Sequence, residues 1–381
     1  MKLVSRLLLT SALVSLGQVY GSGDDAVVLH ESQKAPARKR FEEGAYFKAA
    51  GSRPFSGGNQ LVFVTPQIVA HLNRHVVLFR SVTDGAIAGK MMFKAAVNDI
   101  AVHVDGNDNF TLAADQENKV GIYRGQLLTD GKITVEKIKE VEVDKTSNNP
   151  LFNYGMAMFS PSGMLITAGN NTVTIWDKNY CIARQTAHKR AILPVMQVTS
   201  KNELIVHGFP IQKCDLTEIE KNPLEVGGTP DHWDRYKLYN PQGTHYAYIK
   251  HNSAEVDLYE TASGNRSKLI CRLGHPNPQP AYLFTSGTGV RAAAYAPNGK
   301  LLAVAYSDGL IRVWSAGKRY SLVDSLDATG KTHINNGGIA QIVWSPDGKK
   351  LVAYNRGGLI MSWDLLAEKS QQAGTDSILP K

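Results

Sequence analysis

The segment HLNRH places His71 and His75 four residues apart, a spacing that on a helix would aim two imidazoles at one metal ion. No acidic residue accompanies them as in H-E-x-x-H, and the run around them reads as strand and turn. DGNDN, Asp105 to Asn109, offers oxygen ligands of the calcium kind. It lacks the spacing and terminal Glu of an EF-hand loop and reads as a hairpin turn. The sequence has no G-x-S-x-G, no P-loop and no G-x-G-x-x-G entering a helix. Serines, histidines and aspartates are plentiful, but a triad is defined by geometry and not by composition. Cys181, Cys214 and Cys271 include no C-x-x-C, which excludes zinc-ribbon and thioredoxin-like chemistry. Each lies in a strand-like segment, where a thiol acts as a small apolar group. These residues predict no enzyme, no metal and no cofactor.

The elements that must carry any site are strands. LLAVAYSDGLIRVWSAG, Leu301 to Gly317, alternates, turns at Asp308-Gly309, alternates again and reaches Trp314. The second half recurs as an apolar strand closed by an aromatic: VVLFRS (Phe79), VGIYRG (Tyr123), VTIWDK (Trp176), VDLYET (Tyr259), IRVWSA (Trp314) and IMSWDL (Trp363). IQKCDL puts Cys214 in the aromatic's place. Successive landmarks are 38 to 55 residues apart, which makes seven units. Four are preceded by x-P-x-G turns, at Pro161, Pro241, Pro297 and Pro346. Proline presets the first turn residue and glycine supplies the freer φ after it. β-Branched residues abound and no window sustains a helical period, so each unit is an antiparallel sheet. In LIRVWS, Ile311 and Val313 point to one face, Leu310 and Trp314 to the other, with Arg312 between them. A sheet apolar on both faces needs neighbours on both, and seven sheets closed in a ring supply them.

These landmarks resemble the WD-repeat β-propeller family, best in YSDGLIRVWSAG, NNTVTIWDKN and GGLIMSWDLL, with Trp-Asp itself at Trp176-Asp177 and Trp363-Asp364. The resemblance covers Phe41 to Leu366 and implies an all-β, seven-bladed propeller of four-stranded antiparallel blades. The last unit ends soon after IMSWDLL, so Arg40 to Gly51, RFEEGAYFKAAG, is expected to supply its outer strand and close the ring. In the family a His, a Ser or Thr, an Asp and the Trp form a buried structural network. Ser307, Asp308 and Trp314 match it in blade six, with His275 as the His. The insertion PNPQPAYLFTSGTG separates His275 from the strand near Val290. Blade seven offers His333 and Trp363 but has Gly357 where the Asp belongs. The family's geometry places Phe152, Tyr154, Arg190, His232, Trp233, Arg235, Tyr282, Phe284, Arg291 and Arg356 on one face. Exposed Trp, Tyr and Arg are what binding hot spots favour, although residues of this kind also pack their own loops. DHWDRY stands out because Trp233 sits among charged and ionisable neighbours.

The N-terminus differs from the rest. MKLVSRLLLTSALVSLGQVYGSG has Lys2 and Arg6, an apolar run from Leu7 to Leu16, then small residues, the order of a secretory signal. Cleavage after Gly21 or Gly23 is expected, with export to the periplasm or out of the cell. Loss of Lys2 and Arg6 takes the formal charge from +8 to +6. That is short of the concentrated basic stripe of a nucleic-acid binder. Lys34, Arg38, Lys39 and Arg40 read as a flexible solvated arm or as a contact with an anionic surface such as lipid head groups. No later run is long and apolar enough for a spanning helix. The expected organisation is a signal at 1–21, a basic arm at 22–40, the propeller at 41–366 and a polar tail at 367–381.

The resulting expectation is a non-enzymatic, exported platform that binds a protein or peptide through its loop face. The alternative is an exported propeller that binds or turns over a small molecule or glycan in its central funnel. SPDGKKLVAY also resembles envelope propellers of the translocation-protein type, which fits the first reading. Asn109, Asn170 and Asn265 head N-x-Ser/Thr sequons, which matter only on a eukaryotic secretory route.

Overall fold

The computed structural model describes residues 61–143, 156–187, 195–218, 237–278 and 289–365, apart from short internal breaks, and two strands at 28–29 and 41–48. Antiparallel strands joined by turns form seven sheets, at 61–92, 97–142, 156–187, 195–215, 237–274, 290–327 and 339–365. First strands of neighbouring sheets lie against one another, so each sheet starts at the axis of a ring and works outward. The sheets are therefore the blades of a seven-bladed β-propeller.

Each junction between blades holds its own buried apolar cluster. Phe110 and Phe79 meet between blades two and one, and Trp176 packs with Ile122 between blades three and two. Trp314 packs with Leu258 and Leu273 between six and five, and Trp363 with Val313 between seven and six. The ring meets itself where Val352, Tyr354 and Ile360 of blade seven pack on Leu61 and Phe63 of blade one. The remaining clusters join blade four to three through Cys214 and Ile175, and five to four through Tyr246 and Ile205. The two faces of LIRVWS divide as its alternation predicts: Ile311 and Val313 face blade seven, Leu310 and Trp314 face blade five.

The outer strand carries a repeated irregularity. Its pairing with the third strand slips by one residue opposite the step into Tyr123, Trp176, Tyr259 and Trp314, with Ile138, Ala183, Ile270 and Val323 as the extra residues. Such a bulge increases the local twist of the blade's edge beside the large side chain. In blade one the same slip falls between Phe79 and Arg80. Register therefore gives the landmark position to Arg80, and Phe79 faces blade two, a correction of one residue to the sequence alignment. The reason is local: alternation lets an aromatic one place early bury equally well, against Phe110 with ring centroids 5.7 Å apart.

One face of the ring is knitted from short turns. In all four x-P-x-G turns the glycine N–H donates to the carbonyl three residues back, and its φ lies between 69° and 82°. These turns also touch the next blade. Ser162 Oγ donates to Asn202 Oδ1 at 2.9 Å, Ser200 donates twice to the Pro241 carbonyl, and Gln242 Nε2 donates to the Asn298 carbonyl at 3.1 Å. At Gly299 the φ of 70° is one that side chains bearing a Cβ rarely adopt, so glycine is favoured whatever the space around it.

The inner strands are bracketed as well. Gln341 accepts from Leu61 N and donates to Leu61 O, and Gln197 does the same to Tyr239. Asp99, fully buried, accepts from Ala157 N at 3.0 Å.

Three features depart from expectation. Blade four has three strands among the described residues, Val195–Val198, Glu203–His207 and Gln212–Asp215, where four were expected. Blade five has a fifth, since Val28–Leu29 pairs in parallel with its outer strand. Cys181 is exposed in the turn after Asp177 and not buried in a strand, because the Asp177 carboxylate draws the chain into a turn by accepting from Asn179 N and Cys181 N. Cys214 and Cys271 are buried thiols, as apolar packing requires.

Candidate functional site

Strands alternate in direction, so every connection from an outer strand to the next inner strand emerges on the face opposite the short turns. The links between second and third strands emerge there too. Connections from an outer strand run from Glu142 to Met156, Ala187 to Val195, Gly274 to Val290 and Asp327 to Ile339, whereas the one from Asp215 leaves the third strand of blade four beside the short turns and enters blade five at Lys237. Phe152, Tyr154, Arg190, His232, Trp233, Arg235, Tyr282, Phe284 and Arg356 lie outside the described residues. Arg291 is described: it is exposed, at a register slip between Val290 and Ala292 at the start of blade six.

The anchor of this face is best seen between blades five and six. His275, 4% exposed, begins the long connection after Gly274, and its Nε2 is 2.9 Å from Asp308 Oδ2 in the turn between the second and third strands. Burial by itself would raise the Asp308 pKa. The hydrogen bond from His275, the Leu310 N–H and the charge of His275 outweigh it and hold the carboxyl below its usual range. The His275 ring also stands edge-on to Tyr306, with centroids 4.7 Å apart. The pair ties the root of the Gly274-to-Val290 connection to the rigid sheet behind it.

Below the pair lies Arg312, with no exposed surface. Its Nη1 donates to the Gly274 carbonyl at 2.6 Å, and its guanidinium sits 4.7 Å from the centre of the Trp314 ring. A buried cation needs hydrogen bonds or π-density in place of water, and both are supplied. Among the described residues the Trp314 indole N–H has no acceptor. In blade three, by contrast, Trp176 Nε1 donates to Thr167 Oγ1 at 3.0 Å. Paired to Arg312 across the sheet, Val304 stands where blade three has its threonine, which removes the acceptor. Sequence matching found His275, Asp308 and Trp314 but not Thr167 or the role of Arg312. The signal for Arg312 was its place among residues that alternate into a core.

The metal-like motifs have structural explanations. His71 is fully buried, its ring 5.2 Å from Tyr354 of blade seven. Burial first, then the charge of Arg80, pulls its pKa down to about 4, so it is a neutral packing residue. His75 is exposed in the following turn. Asp105 N donates to Asn109 O, so DGNDN is the hairpin turn it resembled. Asp105 also accepts from Thr111 at 3.0 Å and pairs with His103 at 3.0 Å.

Comparison with known proteins bears on the same region. The WD40 family (WD domain, G-beta repeat) matches residues 278–315, the first three strands of blade six and the connection leading into them. The chain is a seven-bladed β-propeller with a WD40 repeat matched in its sixth blade. Among curated proteins, the chain is 27% identical over 199 residues to WD repeat-containing protein VIP3 of Arabidopsis thaliana, covering 49% of this chain and 56% of that protein. It is 25% identical over 252 residues to WD repeat-containing protein 1 of Gallus gallus, covering 63% of this chain and 38% of that one. The matches thus span about half or less of those relatives. Among solved structures, a chain of the mitotic checkpoint complex superposes with a TM-score of 0.59 at 13% identity, over 92% of this chain and 99% of that one. Chaetomium thermophilum Raptor gives 0.61 at 13% identity, over 86% of this chain and 30% of that one. Such identities speak to the fold alone. WD-repeat proteins are in general non-enzymatic scaffolds, and WD40 propellers bind proteins.

Proposed function

We propose that this WD40 propeller is a non-enzymatic interaction platform, exported from the cytoplasm, that takes a protein or peptide on the face of its long connections. The observation that carries this reading is the asymmetry of the two faces. One is stitched turn to turn by Ser162, Ser200 and Gln242. The other bears the connections in which Phe152, Tyr282 and Phe284 fall and receives the one that holds Trp233 and Arg235. Loops held on a rigid scaffold are where binding residues concentrate. Export follows from the Lys2–Arg6, Leu7–Leu16, Gly21–Gly23 order.

In this reading Phe41–Lys48 closes the ring as the outer strand of blade seven. Its antiparallel pairing with Leu359–Leu365 supports this, and so does the slip in that pairing next to Trp363, the place where the other blades bulge.

The test is a cross-linked pull-down from native cells, with the bait's own first peptide read in the same run. The expected result is a stoichiometric partner that Trp233→Ala and Arg235→Ala lose without loss of folding, on a bait starting at Ser22 or Asp24. A folded Trp233→Ala/Arg235→Ala bait that keeps every partner rejects the face assignment. A bait that keeps Met1 to Leu16 rejects export.

A further inference from the structure

The blades differ in how their outer edges are guarded. An edge strand presents unpaired backbone N–H and C=O groups, which natural proteins cover with another strand or blunt with charge. Blade five's outer strand has Val28–Leu29 beside it, and blade seven's third strand has Phe41–Lys48. Blade two's outer strand, Ile133–Glu142, carries Glu136, Lys137, Lys139, Glu140 and Glu142. Blade one's outer strand, Ile87–Met92, ends its sheet and has a single charge, Lys90.

That strand also carries the most exposed large apolar side chains among the described residues, Met92 at 74% and Ile87 at 58%. Both share a face with Lys90, since Met92, Lys90 and Ile87 pair with Val76, Leu78 and Arg80 at alternate positions of the third strand. The opposite face is occupied. Met91 and Ala88 pack with the cluster between blades one and two, and Gly89 lies against Ile133. Among the described residues, the cluster between blades seven and one takes in nothing from Val76–Ser81 or Ile87–Met92. Lys90 and Lys94 make no ion pair there, and residues 85–98 include no acid.

We propose that this edge is a docking site for an extended segment of a partner protein, of the form apolar-x-acidic-x-apolar. The segment adds a strand to blade one, its backbone on the outward groups of Ile87–Met92. Its apolar side chains cover Ile87 and Met92, and its carboxylate meets the Lys90 ammonium between them. Six residues at the strand rise give about 20 Å of edge, enough for such a segment. A second copy of the chain does not suit it, because pairing the edge with itself sets two Lys90 side chains close together. The site is on the rim, apart from the long connections, so it stands or falls independently of the face proposed above.

Panning a random phage-displayed peptide library on the purified full chain tests the site, with the enriched peptides titrated by fluorescence anisotropy. The expected peptides carry apolar-x-acidic-x-apolar, and Lys90→Glu and Met92→Glu should each weaken them about tenfold. Replacing the acid of such a peptide by lysine should restore binding to Lys90→Glu. Both substitutions fall on exposed side chains and should leave the melting midpoint where it is. Failure to enrich any peptide overturns the proposal. So do peptides that bind Lys90→Glu and Met92→Glu as tightly as the parent chain. Sedimentation velocity adds a second check, in which the chain should stay monomeric as its concentration rises. A dimer that Met92→Glu dissolves would put a second copy on the edge and overturn the acidic partner.

Discussion

Blade six and blade two hold equivalent places in the ring and fill their interfaces by different means. Blade six has the full landmark set: Trp314 on the third strand, Arg312 buried beneath its ring, and His275 paired with Asp308 at the edge. Blade two has Tyr123 where blade six has Trp314. Its packing relies on missing side chains, for a Cβ on Gly125 would come within 2.0 Å of the Phe110 ring and one on Gly121 within 2.7 Å of the Tyr123 hydroxyl. Its charges stay outside, as in Lys119–Glu140 and Lys137–Glu140. The shared requirement is a third strand that turns one large side chain toward the preceding blade, beside a bulge in the outer strand. A buried polar network is one way to brace that side chain, and aromatic rings over glycine are another.

The largest effect should come from removing the side chain that the contrast turns on. Trp314→Ala, at a site 3% exposed, should cost about 3–5 kcal/mol in urea unfolding. Tyr123→Ala, at a partly exposed ring, should cost less than half as much. Equal costs would mean that the buried network adds nothing to blade six.

The next effect separates two kinds of buried histidine. His71 is held neutral by burial, with a pKa of about 4, whereas His275 faces the Asp308 carboxylate. A depressed histidine contributes stability that is full above the unfolded pKa near 6.5 and lost as pH falls from there toward 4. The loss should be about 3 kcal/mol, and His71→Leu should flatten that limb of the urea midpoint against pH. His275→Leu should leave it in place. A wild-type-like slope in His71→Leu would assign the acid limb to other groups.

The smallest effect sharpens the account of blade two. Gly125→Ala should cost about 1–3 kcal/mol by overpacking against Phe110. Gly317→Ala in blade six meets nothing within 4 Å and should change stability by less than about 0.5 kcal/mol. A neutral Gly125→Ala would show that Phe110 has room to move.

Blade six was the most legible part of the sequence because several independent signals coincide there. A turn at Asp308-Gly309, alternation on both sides and a closing tryptophan all specify the same strands. Blade one was legible only to within a residue. VVLFRS offers a buried aromatic on either face, and the pairing register between the third and outer strands settled which face Phe79 takes. The recognition residues are different: Trp233 and Arg235 are proposed from residue type alone, and they lie outside the described residues, in a long connection that no local period specifies.

The sequence by itself determined the number of blades, the strand that closes each unit and the turns that reverse it. Those depend on short-range rules: alternation, β-branching, and the φ demands of proline and glycine. Only the tertiary structure decided which face each third-strand side chain takes, that Arg312 is buried over Trp314, and that Gln341 and Gln197 bracket the next inner strand. It also decided that Val28–Leu29 lies on blade five. Each of these pairs residues far apart in the chain, through contacts that exist only once neighbouring sheets stack. No local pattern encodes which sheet a residue will meet.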